Sequence, residues 1–283
     1  MSLRAPVAPT PYPLGQALHA AVRALRAAVQ ALRAEWTKFR TVAGSAGLLA
    51  GLVTLTVAVT AAAASAAQCQ SARCGIDPAT VSFTGIYPGQ AVAAVAGALA
   101  IGNEYSTGMI KLSLTAMPRR LTWFFAKATV LTAPVLTASA LAVAGASLAG
   151  RLILPGHGFT PAHGYASLTS VTDLRAAVGA VLYLTLIALL SLGVAAVVRD
   201  SAVAIGVVLG VLYLFPLAAA VISNPTLSRH LQQIGPLPAG LDAEATIKVN
   251  SLPLTPWQGL GVVAVWTGGA LLLGALVLKF RDA

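Results

Sequence analysis

The sequence predicts an all-α integral membrane protein with six transmembrane helices, and its composition is the first reason. Of its 283 residues, 57% are hydrophobic and only 9% are charged, and the mean hydropathy is +0.82. A water-soluble domain carries about 25% charged residues. The chain therefore lacks the polar side chains that would cover a soluble surface, and we expect lipid to surround most of it.

The six spans follow from long stretches without a charged residue. These stretches are residues 41–72, 78–103, 128–150, 176–198, 201–228 and 249–278. Each exceeds the roughly 20 residues with which an α-helix crosses about 30 Å of hydrocarbon. Within the transmembrane domain, residues 41–283, the predicted spans are about 42–66, 86–103, 125–150, 175–198, 201–222 and 257–279. Pro and Gly interrupt two further uncharged stretches, 5–22 and 152–172, so we expect neither to span.

The distribution of cations predicts that both termini face the cytoplasm. Six spans put the two termini on one side, and that side then holds 13 of the 18 Lys and Arg residues while the other holds five. Positive charge accumulates in cytoplasmic loops. Anionic lipid head groups then account for the net charge of +10, so nucleic acid is not an expected partner.

Two segments precede the first span. Residues 1–13 are Pro-rich and predict a mobile leader, and residues 14–40 predict an amphipathic helix. Its apolar positions recur at strides of four and three: Leu14, Leu18, Val22, Leu25, Val29, Leu32, Trp36 and Phe39. Because Arg23, Arg26 and Arg33 flank this stripe, we expect the helix to lie in the membrane interface with its arginines on lipid phosphates. A helix packed on a partner protein or on the bundle is the alternative.

Small residues recur about one helical turn apart in two spans. Gly44, Gly47 and Gly51 share a face of the first span, and Gly206 and Gly210 are four residues apart in the fifth. Glycines at this spacing let membrane helices approach closely. Contacts between subunits and contacts within one subunit both fit the pattern, and we expect the second.

The sequence lacks the motifs of several chemical activities. No Lys follows a Gly, so the chain has no nucleotide-binding P-loop. Its four histidines lack the spacing of a zinc protease. We also expect no Asp, Glu, Lys or Arg inside the spans, where a proton-driven transporter carries its relay groups. The chain is therefore predicted to have no catalytic, cofactor or metal site and to receive energy from another chain.

Cys69 and Cys74 both fall in the first predicted outer loop. They face an oxidising compartment five residues apart, so we expect them to form a disulfide, with two free thiols as the alternative.

The segment between the second and third spans predicts a short helix on the cytoplasmic side. Asn103 is placed to cap a new helix whose first turn holds Glu104, a carboxylate suited to the positive end of the helix dipole. Gly108 permits a bend, and Pro118 ends the element. The positions of interest are Glu104, Tyr105, Gly108, Lys111, Pro118, Arg119 and Arg120. An ordinary basic loop at the head groups is the alternative.

This segment resembles the coupling segment of ABC type-2 permeases, the membrane subunits of ATP-binding-cassette exporters, particularly the actinobacterial ones. Residues 35–40, which include Glu35, Trp36 and Lys38, are similar to the family's approach to its first span. Further similar pieces follow in the family's order: residues 199–201, 236–240, 254–260 and 281–283. The Pro-rich leader and the cysteine pair depart from the common pattern.

The resemblance implies a permease subunit in the plasma membrane of a bacterium. It implies a second permease subunit, expected to be an identical copy, and two separate ATP-binding subunits that bind ATP and Mg. The N-terminal helix and residues 104–120 would dock on these subunits. The substrate path would lie between the permease subunits, with polar contacts expected from Gly51, Thr54, Thr56 and Thr60, although Thr in a membrane helix more often bonds its own backbone.

Spans without charged residues favour an amphipathic or neutral substrate, such as a lipid, a drug or a secondary metabolite. A non-transporting membrane scaffold or immunity protein is the alternative function, and an intramembrane enzyme is the least favoured because paired catalytic groups are missing. An ATPase bound to the chain would distinguish the transporter from the scaffold.

Overall fold

The computed structural model describes residues 13–41, 43–69, 77–116, 119–159, 170–246 and 253–280, and every regular element in these ranges is helical. The α-helices are α1 (Pro13–Thr41), α2 (Ala43–Ala66), α3 (Pro78–Phe83), α4 (Ile86–Ser106), α5 (Met109–Ala116), α6 (Arg120–Ile153), α7 (Val171–Val198), α8 (Ser201–Val221), α9 (Pro225–Ile234), α10 (Pro236–Leu241) and α11 (Pro256–Phe280). A 3₁₀ turn, Leu154–His157, follows α6, and another, Asp242–Glu244, follows α10. Residues 1–12 of the predicted leader lie outside the described ranges.

Six helices in these ranges are long and apolar enough to cross a membrane, which agrees with the number of spans predicted. They are α2, α4, α6, α7, α8 and α11. The third begins at Arg120, several residues before the predicted start near 125, so it carries a polar first turn that the apolar stretch alone did not include.

Helix α7 lies at the centre of the bundle and packs against α4, α6, α8 and α11. It is apolar on all sides, and its side chains Tyr183, Leu184 and Ile187 are fully buried. A helix that is hydrophobic all round is one that its neighbours surround. Helices α2 and α8 are the least buried of the six, so much of each faces outward from the bundle.

Close contacts between helices depend on glycines that the sequence did not single out. A Cβ atom on Gly97 of α4 would stand 1.9 Å from the carbonyl oxygen of Ala188 in α7. One on Gly193 of α7 would stand 2.6 Å from the carbonyl carbon of Ala270 in α11. At both places backbone meets backbone, and a residue without a side chain is required.

The prediction that the five glycines of α2 and α8 pack within the subunit is wrong. A Cβ atom added at Gly44, Gly47, Gly51, Gly206 or Gly210 meets nothing within 4 Å. The spacing of small residues marks a face suited to close contact but does not say which neighbour occupies it. Among the residues that the structure describes, nothing covers either face.

The predicted helix cap at Asn103 is also wrong, because α4 runs past this residue to Ser106. The Asn103 carbonyl accepts hydrogen bonds from the amide of Thr107 at 3.1 Å and from its hydroxyl at 2.6 Å, both within the last turn of α4. Helix α5 begins only after Gly108, whose φ is +69°. Glu104 therefore lies at the negative end of a helix dipole, opposite to its predicted placement, and needs cations nearby.

We expect Gly108→Ala to lower the free energy of unfolding by about 1 kcal/mol, because the left-handed backbone at this position disfavours a residue with a Cβ atom. Thermal unfolding of the purified protein in detergent measures the change. Gly261→Ala on α11 is the control, since nothing stands within 4 Å of its added Cβ atom. Equal Tm values for the two variants would contradict this account.

Residues 199 and 200, which separate the fourth and fifth predicted spans, form the turn between α7 and α8. Arg199 ends α7 with a φ of 64°, and the Asp200 side chain caps α8 by accepting from the Val203 amide at 2.8 Å. The Arg199 guanidinium lies 5.8 Å from the ring centre of Tyr105, at the end of α4. We call the end of the bundle that holds Arg199, Asp200 and Tyr105 the basic end.

At the opposite end, which we call the far end, the described residues that follow α8 form the short helices α9 and α10 and the 3₁₀ turn Asp242–Glu244. Asn224 caps α9 through its side chain. Helix α10 lies on α7, where the ring of Tyr183 occupies the space that a Cβ atom on Gly240 would need. The Pro-rich connection therefore folds back onto the bundle.

Candidate functional site

Four charged side chains from three separate segments meet at the basic end, and we call them the charge cluster. They are Glu35 and Lys38 of α1, Glu104 of α4 and Lys127 of α6. The Lys127 ammonium lies 2.6 Å from a carboxylate oxygen of Glu35 and 2.7 Å from one of Glu104. The Lys38 ammonium lies 2.9 Å and 3.1 Å from the same two carboxylates. Two cations thus bridge two anions, and the cluster is neutral.

Two uncharged side chains complete its hydrogen bonds. The indole N–H of Trp123 donates to Glu35 Oε1 at 3.1 Å. The Ser113 hydroxyl accepts from the Lys38 ammonium at 3.0 Å and donates to Glu104 Oε2 at 3.1 Å. Ser113 belongs to α5, so the short helix is tied to the cluster as well.

The charge cluster is mostly buried. Glu35, Glu104 and Lys127 are 3%, 7% and 6% exposed, whereas a third of the Lys38 side chain is exposed. Removing a charge from water costs several kcal/mol unless partners and hydrogen bonds compensate for it. Here each charge has such partners, so the cluster holds α1, α4, α5 and α6 together as one unit.

Lys38 keeps its positive charge at neutral pH. Burial by itself lowers the pKa of Lys38, but the hydrogen bonds and charges of Glu35 and Glu104 outweigh burial and raise this pKa above 10.5. A lysine with a raised pKa contributes stability below its unfolded pKa and loses that contribution as the pH rises through the folded value. The stabilisation by Lys38 is therefore complete at neutral pH and is lost only in strong alkali.

A cavity of about 440 Å³ opens beside the cluster, between α1, α2, α4 and α6. Apolar side chains, among them Leu48, Leu99 and Leu131, form most of its wall, and Lys38 and Asn103 contribute polar groups. Such a cavity fits a molecule that has an apolar body and a polar head group.

Helix α5 presents an exposed surface next to the cluster. Met109 and Leu112 are 45% and 70% exposed, and Lys111 is exposed between them. Large exposed apolar side chains beside a cation are typical of a surface that contacts another molecule. Tyr105 lies in the last turn of α4, with its ring near Arg199.

The structure separates the other residues that the sequence predicted for this region. Arg119 is exposed, and Arg120 donates to the Leu278 carbonyl at 3.1 Å, which joins α6 to α11. Pro118 lies outside the described residues. The arginines of α1, which are Arg23, Arg26 and Arg33, are exposed, and Trp36 stacks on Phe39 with 6.3 Å between ring centres.

The four residues predicted to line a substrate path do not share one surface. Gly51 is half-buried, and Thr54 is exposed and donates to the Ala50 carbonyl in its own helix. Thr56 and Thr60 are fully buried, Thr56 beside Gly89 of α4 and Thr60 in hydrogen bonds with Ser82 and Gly85 at the turn between α3 and α4. Their role in a path between two subunits stays a prediction.

Cys69 is 7% exposed and is disulfide-bonded. Its amide donates to the His157 carbonyl at 3.0 Å, which fastens the end of α2 to the turn after α6. Cys74, its predicted partner, lies outside the described residues, and the pairing stays a prediction.

Sequence reasoning missed Lys127 as a member of the site. Lys127 lies about two turns into α6, directly before the uncharged stretch 128–150, and is buried. Glu35, Lys38 and Glu104 were singled out, but nothing in their spacing shows that α6 brings Lys127 and Trp123 between them. A lone lysine at the edge of an apolar stretch was the one available signal.

These observations define an all-helical protein with six helices able to cross a membrane and a neutral, buried charge cluster beneath an exposed short helix. Comparison of the sequence with protein-family models finds no match, and neither does comparison with curated proteins.

Proposed function

We propose that this chain is the permease subunit of an ABC exporter, and that it moves a lipid-like, drug-like or secondary-metabolite substrate across the plasma membrane of a bacterium. Two separate subunits bind ATP and Mg and hydrolyse the nucleotide, and both termini of the permease lie in the cytoplasm. The observation that carries the proposal is the mechanical connection between the exposed helix α5 and the spans, made by Ser113, Glu104 and Lys127.

A helix that receives force from another subunit must be rigidly joined to the part that moves. Ser113 of α5 binds Glu104 of α4, and Glu104 binds Lys127 of α6. Lys127 in turn binds Glu35 of α1. A displacement of α5 by an ATP-binding subunit is therefore passed to three further helices at once, because breaking any of these buried pairs would cost several kcal/mol.

The exposed stripe of α1 supports a position in the membrane interface. Leu18 and Leu25 are 65% and 66% exposed, and Arg23 and Arg26 beside them are exposed too. An apolar stripe flanked by arginines suits anionic lipid head groups. The docked end of α1, at Ala31 and Glu35, then links the interface to the charge cluster.

A second copy of the chain is proposed as the other half of the transporter. The open glycine faces of α2 and α8 lie on the two least buried spans, and close approach of another helix would cover them.

The test is ATP hydrolysis by complexes purified with the full-length, tagged chain from membranes of its own host. We expect the purified complex to contain a nucleotide-binding subunit and to hydrolyse ATP. Leu112→Glu should reduce the amount of bound subunit and the rate of ATP hydrolysis at least tenfold, because it places a charge on the docking surface. Leu227→Glu is the matched control, since Leu227 is a 47% exposed leucine on α9 at the far end. If the chain is purified without an ATPase, the proposal is contradicted and a scaffold is favoured. Equal loss of ATP hydrolysis in the two variants also contradicts the proposal.

A further inference from the structure

Glu244 at the far end is a buried acid in surroundings unlike those of the charge cluster. It belongs to the 3₁₀ turn Asp242–Glu244 and is 6% exposed. Its Oε1 atom has no hydrogen-bond partner, and among the described residues no Lys, Arg or His nitrogen lies within 4 Å of its carboxyl. A buried carboxylate without a counter-ion is strongly disfavoured, whereas the neutral acid is not.

The charged and titratable groups around Glu244 come from several elements. Helix α7 contributes Arg175 and Tyr183, and α4 and α8 contribute Tyr87 and Tyr213. Asp77 precedes α3, and Asp242 lies in the same turn. Helix α10 contains no titratable residue, and the only one in α11 is Lys279, at the basic end.

Two of the tyrosine hydroxyls in this region already donate to other acceptors. The Tyr183 hydroxyl donates to Gln90 Oε1, and the Tyr213 hydroxyl donates to the Tyr87 carbonyl at 3.1 Å. Gln90 itself donates to the Tyr213 hydroxyl at 3.1 Å. The hydroxyls of Tyr183 and Tyr213 therefore do not offset the cost of an ionised Glu244.

Arg175 is hydrogen-bonded to the backbone on both sides of Glu244. Its guanidinium donates to the carbonyl oxygens of Ala243 at 3.5 Å and Ala245 at 2.5 Å. On the other side, both carboxylate oxygens of Asp77 accept from Thr246, the amide at 3.1 Å and the hydroxyl at 2.9 Å. Residues 236–246, which we call the far-end segment, are therefore held closed on the bundle from two directions.

We propose that Glu244 is a proton-binding site, and that its bound proton keeps the far-end segment closed while loss of that proton opens it. A proton is the ligand that fits, because the carboxyl is almost fully buried and its Oε1 atom has no hydrogen-bond partner. This inference does not depend on the proposed exporter function.

The direction of the pH dependence follows from burial. Burial raises the pKa of Glu244 well above its ordinary value, so the closed segment binds the proton more tightly than an open, solvated one. The closed state is therefore favoured at low pH and loses stability as the pH rises above the ordinary pKa of a glutamate. Between the two pKa values the opening equilibrium rises up to tenfold for each pH unit.

A cysteine placed at Leu237, which is 3% exposed in α10, reports the opening of the segment. The full chain carrying Leu237→Cys is reconstituted in phosphatidylcholine liposomes, and the rate of labelling by a membrane-impermeant maleimide is measured from about pH 5 to pH 8. The labelling rate of a chain that carries both Leu237→Cys and Glu244→Gln is the reference. The ratio of the first rate to this reference is compared across the pH range, because the titration of the thiol itself cancels in it. We expect the ratio to rise up to tenfold per pH unit; a flat ratio overturns the proposal.

Three controls make the result specific to a proton on Glu244. Glu244→Asp keeps a carboxyl and should retain the pH dependence, which guards against a folding defect in the glutamine variant. Asp242→Asn removes the neighbouring carboxyl, whose pKa burial raises to about 6 against the effect of a backbone hydrogen bond from Leu254. If this variant rather than Glu244→Gln abolishes the dependence, the assignment to Glu244 is overturned. A rate that follows sodium concentration at fixed pH would overturn the proton as the ligand.

Discussion

Lys127→Met should destabilise the protein by about 3–5 kcal/mol, the cost typical of removing one partner from a buried ion pair. The substitution leaves Glu35 and Glu104, both almost fully buried, with only Lys38 to neutralise them. The methionine fills a similar volume, so the loss is one of charge compensation rather than of contact area. Thermal and denaturant unfolding in detergent measure it.

A matched control and a second substitution separate charge from shape. Lys111→Met removes an exposed lysine on α5 and should change the free energy of unfolding by less than about 0.5 kcal/mol. Adding Glu35→Gln to Lys127→Met restores a neutral cluster, with Lys38 still beside Glu104. The double variant should therefore lose less free energy of unfolding than the sum of the losses in the two single variants. Strict additivity of these losses would show that the four charges do not act together.

Gly97→Ala should be among the most damaging single-methyl changes in the bundle. The added Cβ atom would stand 1.9 Å from the carbonyl oxygen of Ala188 and 2.8 Å from its carbonyl carbon, both of which are backbone atoms and cannot rotate away. Helices α4 and α7 would have to separate, and Ser191, which donates to the Ala94 carbonyl at 2.6 Å, would lose that bond. We expect a loss of about 1–3 kcal/mol or more.

The control for this prediction is Gly268→Ala on α11. Nothing stands within 4 Å of a Cβ atom at this position, so the same change of residue adds helix propensity without a clash. The two variants are compared by Tm in one detergent. If the Gly97→Ala and Gly268→Ala proteins have the same Tm, the α4–α7 contact is looser than these distances indicate.

Much of the fold could be predicted because lipid imposes simple requirements on a sequence. The count of six spans followed from the lengths of uncharged stretches. The position of the two-residue connection at Arg199 and Asp200 followed in the same way, because it separates two such stretches. All of these are properties of neighbouring residues.

The site was predicted less completely because it is made by residues distant in sequence. Glu35, Lys38 and Glu104 were chosen for their resemblance to a family pattern, yet the helix cap assigned to Asn103 and Glu104 was wrong. Hydrogen bonding along α4 continues through both residues, and only the positive φ at Gly108 ends the helix. Local propensity did not show where the turn would come.

The sequence by itself determined the six membrane-length helices found among the described residues, because each depends on composition along a single segment. Tertiary structure alone decided which glycines touch backbone, that Lys127 lies between Glu35 and Glu104, and that Glu244 is buried without a counter-ion. The physical reason is that a side chain's partners and its access to water depend on the helices packed against it, and those helices are remote in sequence.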